Sequence, residues 1–210
     1  MTPQAPGGDD TGPGSSASDF VREQFRSAAA VMSTMLADDV LVARIQSAAA
    51  ACVASLKSGG KLLLAGNGGS AADAQHIAAE FVSRLTFDRT GMAAIALTTD
   101  TSILTAVGND YGFEHLFARQ IQAIGRKGDV LVAYSTSGSS PNILRALTEA
   151  RRRGIACVGM TGNRGGPMVD LCDHVLAVPS DRTQAIQEGH LVLGHTLCGL
   201  VERALFGDGT

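Results

Sequence analysis

Short apolar runs alternate with helical stretches along most of the chain, and this alternation predicts an α/β fold. Five runs bounded by Gly, Ser or Asp have the length and composition of strands: 61–66, 93–99, 129–136, 156–162 and 174–180. Short continuous apolar runs are typical of parallel strands that are covered on both faces. The pattern therefore predicts a three-layer α/β sandwich around a five-stranded parallel sheet.

Helical periodicity fills the segments before, between and after these runs. Apolar residues recur at spacings of three and four from Asp19, and a second helix is predicted at 39–58, ending before Gly59-Gly60. The remaining predicted helices are 72–86, 101–107 with 113–125, 141–153, 165–171 and 183–206. Residues 1–17 are rich in Gly, Pro, Ser and Asp, so we expect a disordered tail there and a single domain at 18–210.

The composition argues against several classes of protein. Hydrophobic residues make up 45% of the chain and charged residues 18%, with a formal net charge of -3 and no basic block, so we expect no nucleic-acid partner. No apolar run approaches the roughly 18 residues of a membrane span, and the N-terminus lacks the apolar core of a secretory signal. We therefore expect a cytoplasmic protein with no membrane partner. Three of the four cysteines lie in apolar runs, which indicates buried, reduced thiols.

Three loops follow the carboxyl ends of predicted strands, where parallel α/β sheets bind ligands. They are GNGGS at 66–70, TTDTS at 98–102 and STSGSSP at 135–141. The third loop carries five hydroxyl groups around Gly138 and leads into a helix near Pro141. Hydroxyls and free backbone N–H groups at a helix start bind phosphate, and five exceed what a plain helix cap requires. The pattern favours an anion site over a cap, while the glycines of GNGGS also fit a tight turn.

The helix predicted after GNGGS carries a stripe of ionisable side chains: Asp73, His76, Glu80 and Arg84. His76 and Glu80 are one turn apart, so both could bind one metal ion. The alternative is an exposed ion-pair face, with Glu80 pairing with Arg84 and Asp73 with His76. The adjacent ligand loop and the apolar remainder of the helix favour a site.

The last predicted helix has four polar side chains on an otherwise apolar sequence: Gln187, Glu188, His190 and His195. Glu188 is seven residues before His195 and nearly in line with it, whereas Gln187 is eight before it and rotated by about 80°. The spacing does not decide which of the two accompanies His195 at a metal ion. His190 has a different azimuth, and we expect it at the surface or at an interface.

Five motifs, in this order and at these separations, resemble the phosphoheptose isomerase family, which has the sugar isomerase (SIS) fold. They are GNGGSAADAQHIAAEF, VGNDYGFEHLF, STSGSSPN, MTGNRGG and IQEGHLVLGH, and the resemblance covers about residues 20–206. STSG alone is shared by the whole SIS superfamily. The H-x-x-x-E helix combined with the later Q-x7-H pattern is more specific. The resemblance implies a flavodoxin-like sheet order with extra N-terminal helices.

The resemblance also implies residue roles. One zinc ion per subunit would be held by His76, Glu80, Gln187 and His195, which selects Gln187 over Glu188. Contacts to the sugar phosphate would come from Asn67, Gly68, Gly69, Asn109, Asp110, Ser135, Thr136, Ser137 and Ser140, together with Glu80 and Gln187. The family forms homotetramers with sites at subunit interfaces, so the ligands need not all come from one chain.

The implied reaction interconverts sedoheptulose 7-phosphate and D-glycero-D-manno-heptose 7-phosphate. It is the first step towards nucleotide-activated heptose for surface polysaccharides such as lipopolysaccharide and capsule. This ketose–aldose isomerisation passes through an enediol and needs a base and an acid within hydrogen-bond reach, for which Glu80 and His195 are the candidates. Zinc would stabilise the enediolate. Because a tight metal ligand is not a free base, we expect Glu80 to shift when substrate binds.

Two alternatives remain open from the sequence. A relative of this family is a non-catalytic tetramer that binds the bacterial replication initiator, but such an adaptor needs no metal quartet. The second alternative is an SIS isomerase or sensor of another sugar phosphate, such as a hexose phosphate. The length of the substrate depends on side chains that the sequence does not place.

Overall fold

The first helix begins slightly earlier than its periodicity indicates. The computed structural model describes residues 16–207, so most of the predicted tail lies outside the described residues. Helix α1 (Ala17–Leu36) begins at a capping box, in which Ser16 Oγ accepts from the backbone N–H of Asp19 at 3.1 Å. The Asp19 carboxylate accepts in return from the Ser16 N–H at 3.3 Å. These two bonds satisfy backbone donors that the first helical turn leaves free.

The five predicted strands are confirmed, and they form one parallel sheet. The strands are β1 (Leu62–Ala65), β2 (Ala94–Ala96), β3 (Val130–Tyr134), β4 (Ala156–Thr161) and β5 (His174–Ala177). Their order is β2-β1-β3-β4-β5, the flavodoxin-like order, with Leu62 opposite Val130 and Val130 opposite Ala156 in the registers. The order changes direction at β1, so the loops after β1 and β3 lie side by side at the carboxyl edge.

The described residues form seven α-helices, and their bounds correct the prediction in several places. After α1 come α2 (Asp39–Lys57), α3 (Gly69–Val82), α4 (Thr101–Tyr111), α5 (Leu116–Ile124), α6 (Pro141–Arg152) and α7 (Thr183–Phe206). Short 3-10 helices occur at Phe113–His115 and Pro167–Leu171. The segment predicted as a helix at 165–171 is shorter because Gly165 and Gly166 have positive φ angles of 66° and 63°. Helix α3 lies three to four residues earlier than predicted, starting after Gly68, whose φ is 55°.

Two hydrophobic cores cover the two faces of the sheet. Side chains at alternate positions of β1 enter different cores: Leu62 and Leu64 pack with α2, α3 and α7, whereas Leu63 and Ala65 pack with α5 and α6. Because successive side chains of a strand point to opposite faces and both faces are covered here, β1 is apolar at every position. The helices that carry the candidate metal ligands, α3 and α7, therefore lie on the same face.

Helix α2 is long and apolar enough to cross a membrane by length and composition alone. In this fold its buried side chains, which include Leu41, Ile45 and Cys52, belong to the core on the α7 face. Cys157 and Cys198 are also buried, and burial raises the pKa of Cys52 to about 12. The three cysteines of apolar runs are thus inert core thiols, as the sequence indicates.

Candidate functional site

Three of the four predicted metal ligands meet between α3 and α7. The Nε2 atoms of His76 and His195 are 2.8 Å apart, and Glu80 Oε1 is 3.6 Å from His76 Nε2. One ligand atom from each of the three residues lies within 4.8 Å of the others. Two residues of one chain separated by 119 positions are thereby brought into direct contact.

This donor set fits a zinc ion. Two imidazole nitrogens and a carboxylate oxygen are typical zinc ligands. Nitrogens at about 2.0–2.1 Å from a tetrahedral ion are about 3.3 Å apart, so a small separation of His76 from His195 would accommodate the metal. The two rings meet edge to face, with centroids 5.0 Å apart.

Glycines allow α7 to approach α3 closely at this site. A Cβ atom at Gly194 would lie 2.6 Å from Ile77 Cγ1, and one at Gly69 would lie 2.4 Å from Gln187 Nε2. A Cβ at either position would force the facing side chain to move, so these glycines allow the close packing of the two helices. Gly194 precedes His195, which explains how that imidazole reaches His76.

Gln187 lies against the start of α3 rather than among residues that contact His76 directly. Its amide packs on Gly69, two helical turns before His76, and the residue is half-buried. The eight residues from Gln187 to His195 span about 12 Å along α7. Gln187 therefore occupies the stretch of α7 between the carboxyl-edge loops and the histidine pair.

The STSGSS loop is held in shape by its own hydroxyls and by a second glycine-rich loop. Ser135 is buried and its hydroxyl lies 3.1 Å from that of Ser140, while the Ser139 hydroxyl donates to Ser137 at 2.9 Å. A Cβ at Gly138, whose φ is 65°, would lie 1.8 Å from the carbonyl oxygen of Gly165. The GNRGG segment thus supports the predicted phosphate loop, a role that sequence reasoning had not assigned to it.

A cleft of about 430 Å³ opens beside this loop. Among its lining residues are Thr136, Ser137 and Ser139, facing Thr183 and Ile186 at the start of α7. Two of the predicted phosphate contacts, Thr136 and Ser137, therefore face open space. The other two, Ser135 and Ser140, bond to each other and shape the loop.

Asn67 joins the two loops by pairing with Asn142, whose role sequence reasoning missed. The side-chain amides of Asn67 and Asn142 exchange two hydrogen bonds, of 2.9 and 2.8 Å. Asn142 is buried at the start of α6. Its position directly after STSGSSP was a usable signal. Gly68 and Gly69 follow in the turn into α3 and are exposed, with Asn67 and Gly68 lining a second cleft of about 340 Å³.

Asn109 and Asp110 lie elsewhere in the described chain. They occupy the last turn of α4, where the Asn109 amide donates to the Asp110 carboxylate at 2.8 Å. Both are exposed, and neither lines the two clefts above. Within one chain, the structure does not bring these two predicted contacts to the site.

Two further expectations about the stripe and α7 need correction. Helix α3 ends at Val82, so Arg84 lies outside the stripe, and Glu80 faces His76 instead. His190 is fully buried rather than at the surface or an interface: its Nε2–H donates to the Thr161 carbonyl at 3.1 Å and its ring meets that of Tyr134. Burial lowers the pKa of His190 to about 4, although the bond to Thr161 acts in the opposite direction.

Residues 23–162 match the SIS domain family. Over 188 residues the chain is 65% identical to the phosphoheptose isomerase of Burkholderia pseudomallei (strain 1710b), which covers 90% of this chain and 95% of that protein. The chain belongs to the phosphoheptose isomerase family. Phosphoheptose isomerases are enzymes, so the chain is an isomerase rather than the non-catalytic adaptor considered above.

Solved structures of phosphoheptose isomerases have the same fold. The enzyme of Neisseria gonorrhoeae is 42% identical, with a TM-score of 0.82 over 88% of this chain and 98% of that one. The enzyme of Francisella tularensis is 36% identical, with a TM-score of 0.86 over 90% of this chain and 100% of that one. The five-stranded SIS architecture is therefore that of the phosphoheptose isomerases.

Proposed function

We propose that this phosphoheptose isomerase family member interconverts D-sedoheptulose 7-phosphate and D-glycero-D-manno-heptose 7-phosphate. The single observation that carries the proposal is the meeting of His76, Glu80 and His195 between α3 and α7. An adaptor has no need of such a cluster. The name shared by relatives of 65% and 54% identity supports the choice of substrate.

The phosphate would bind at the STSGSS loop. Thr136 and Ser137 line the cleft there, and the N-terminus of α6 supplies free N–H groups and the positive end of its dipole. The sugar would extend along the start of α7, past Gln187, towards the histidine pair. Asn67, Gly68 and Gly69, at the turn into α3, would supply further contacts to the sugar.

The reaction moves one proton between neighbouring carbons. One of Glu80 and His195 would remove the proton from the carbon beside the carbonyl, giving an enediolate, and the other would return a proton to the former carbonyl carbon. A second proton would pass from the neighbouring hydroxyl to the former carbonyl oxygen, so that the aldehyde and the new hydroxyl form together. Gln187 and His76 would complete the zinc ligands, with one ion per subunit. Bound zinc would polarise the substrate oxygens and stabilise the developing negative charge. Because Glu80 would serve in both sets, we expect its carboxylate to move on substrate binding.

The substrate and the metal are tested together by one measurement. Turnover of sedoheptulose 7-phosphate is measured before chelation, after chelation and after zinc is restored. Loss and recovery of turnover would support the substrate and the metal together. Glu80→Gln is the matched variant, because it keeps the shape of the side chain but cannot accept the proton. Full turnover by that variant with zinc bound would remove Glu80 from the acid–base pair.

Another sugar phosphate remains the competing substrate. A ligand that binds only the folded state raises the melting temperature, by an amount that follows its affinity. Sedoheptulose 7-phosphate should therefore raise the melting temperature of the protein more than fructose 6-phosphate at equal concentration. A larger shift with fructose 6-phosphate would redirect the proposal to a hexose phosphate.

We also propose a homotetramer with sites at subunit interfaces. Apolar side chains of α1 are exposed in the single chain, with Phe20 60% and Phe25 72% accessible. The position of Asn109 and Asp110, away from their own chain's clefts, suits a site completed by a second subunit. Native mass spectrometry should give four subunits, and Phe25→Glu should shift the distribution to smaller species.

The cellular role follows from the substrate. We propose that the enzyme works in the cytoplasm, at the first step towards nucleotide-activated heptose for a surface polysaccharide. A deletion strain should accumulate sedoheptulose 7-phosphate and lack the heptose-bearing glycan. An unchanged glycan would contradict this role.

A further inference from the structure

A buried arginine holds the end of α3 at the residue that carries a candidate catalytic group. Arg89 follows α3, and its side chain is only 1% exposed. Its Nη2 donates to the backbone carbonyl of Glu80 at 2.9 Å, and its Nη1 donates to that of Phe81 at 2.8 Å. Longer bonds run from Nη1 to Ser83 and Thr90. The last carbonyls of a helix have no partner within it, so the guanidinium acts as the cap of α3.

The same guanidinium is anchored to α7 through Glu202. Arg89 Nε donates to Glu202 Oε1 at 2.9 Å, and the Glu202 side chain is fully buried. The carboxylate also accepts from the backbone N–H groups of Leu85 and Thr86, each at 3.1 Å, and from the Thr86 hydroxyl. Burial opposes the charged form, but these hydrogen bonds together lower the pKa of Glu202. The pair is therefore ionic, with the remaining carboxylate acceptors occupied.

The pair, here termed the Arg89–Glu202 clamp, joins the two helices that carry the site. Glu202 lies seven residues after His195, or two turns of α7 and about 10 Å along its axis. Arg89 binds the carbonyl of Glu80 itself. Replacing a buried ion pair by apolar side chains is often neutral for stability, so stability alone does not account for a clamp of this kind. A link between two specific points of α3 and α7 instead fixes their rotation and spacing.

We propose that Arg89 and Glu202 are positioning residues that set α3 against α7 and so hold His76 and Glu80 opposite His195. The inference rests on the proposed function, which assigns His76, Glu80 and His195 to metal binding and catalysis. Neither residue touches the cluster with its own side chain. Their effect would pass through the backbone of Glu80 and the axis of α7.

Arg89→Lys is the sharpest test. It keeps the positive charge beside Glu202 but removes the planar guanidinium that donates to the backbone carbonyls of Glu80 and Phe81. Zinc affinity is measured by competition with a chromophoric chelator, and kcat and KM are measured with zinc saturating. We expect zinc to bind about 10–100-fold more weakly, as for other residues that orient metal ligands. The kcat should fall while KM stays within about twofold, since the phosphate loop is untouched.

Asp129→Asn is the matched control. Asp129 is buried and pairs with Lys61 at 2.7 Å, and it also accepts from the N–H groups of Lys61 and Arg126, at the amino edge of the sheet. This variant should lower the melting temperature as Arg89→Lys does, yet keep the zinc affinity and kcat of the wild type. Equal zinc affinity in wild type, Arg89→Lys and Asp129→Asn would overturn the proposal.

Two further measurements keep the test decisive. If Arg89→Lys does not fold, Arg89→Met/Glu202→Leu removes both charges together and should fold while showing the same loss of zinc affinity. The 15N signals of the His76 and His195 imidazoles in metal-free protein need neither zinc nor turnover. They should shift in the clamp variants and not in Asp129→Asn, and unchanged signals would contradict the clamp's role. Failure of the wild type to turn over sedoheptulose 7-phosphate would reject the substrate without affecting the comparisons of zinc affinity and of 15N signals.

Discussion

Two polar clusters of the described residues link α3 or the segment after it to α7, and they differ in how completely their groups are hydrogen-bonded. At the site, the side chains of His76 and Glu80 are 47% and 22% exposed, and their lone pairs face a neighbour or open space. At the clamp, Arg89 and Glu202 are 1% and 0% exposed and both are fully engaged. Incompletely paired groups can bind a metal or move a proton, whereas saturated buried groups fix geometry. We therefore expect reactivity at the first cluster and rigidity at the second.

The largest expected difference separates two histidines of α7. His195→Ala removes a candidate acid–base group and metal ligand, so we expect kcat to fall by about 10³-fold with little change in melting temperature. His190→Asn should lower the melting temperature with little change in kcat, because His190 is buried against Thr161 and Tyr134. Steady-state kinetics and thermal unfolding of both variants measure this. Similar kcat values for the two variants would break the distinction between reactive and structural histidines.

The clamp should behave as a structural pair when one partner is removed. Glu202→Leu leaves the Arg89 guanidinium buried without its carboxylate, so we expect a loss of about 3–5 kcal/mol in unfolding free energy. Adding Arg89→Met should recover most of that loss, since no charge then remains buried. Urea unfolding of the single and double variants gives both values. A double variant as unstable as the single one would mean that the bonds from Arg89 to the α3 carbonyls dominate.

The sequence predicted the site contact much better than the clamp, and the reason is physical. His76 and Glu80 share a helix, so their spacing alone places them together, and Gly68-Gly69 marks the adjacent loop. The strands were equally predictable from the sequence, because continuous apolar runs identify buried parallel strands. The meeting of His76 with His195 is a long-range contact that no local pattern encodes, and only the family resemblance indicated it.

The clamp and the loop pairing had weaker signals. Arg89 lies in a polar loop, where an arginine is usually solvated, and Glu202 resembles any surface glutamate of a helix. The different azimuth of His190 on the last helix favours a position at the surface or an interface, but a hydrogen bond to the Thr161 carbonyl allows it to be buried. The reciprocal amides of Asn67 and Asn142 are 75 residues apart, so their pairing depends on strands β1 and β3 being neighbours.

The buried imidazole of His190 makes the free energy of unfolding depend on pH. Burial lowers its pKa to about 4 in the fold, from the usual histidine value of about 6.5. Between these values the unfolded chain binds a proton that the folded chain does not, so stability falls as pH decreases from about 6.5 to 4. The contribution that is lost is of the order of 3 kcal/mol.

Urea unfolding of wild type and His190→Asn at pH 7, 6, 5 and 4 measures this contribution. The stability advantage of the wild type should shrink progressively towards pH 4, because only the wild type has this group to protonate on unfolding. An advantage that is constant with pH would show that His190 is not kept neutral by its surroundings.

The smallest expected effect distinguishes a glycine that touches a second loop from one that does not. Gly138 and Gly59 both have positive φ, of 65° and 80°, so alanine strains the backbone at either position by about 1–2 kcal/mol. At Gly59 a Cβ meets nothing within 4 Å, whereas at Gly138 it would lie 1.8 Å from the Gly165 carbonyl oxygen. Gly138→Ala must therefore push the STSGSS and GNRGG loops apart, and Gly59→Ala need not move anything near the site.

The expected result is a weaker hold on substrate in one variant only. Because a misplacement of about 1 Å can lower activity by up to about 10²-fold, we expect KM to rise about tenfold in Gly138→Ala alone. Zinc affinity should be unchanged in both variants, since neither glycine lies in α3 or α7. A KM that rises equally in the two variants would mean that backbone strain, rather than the packing of these loops, controls how the phosphate is held.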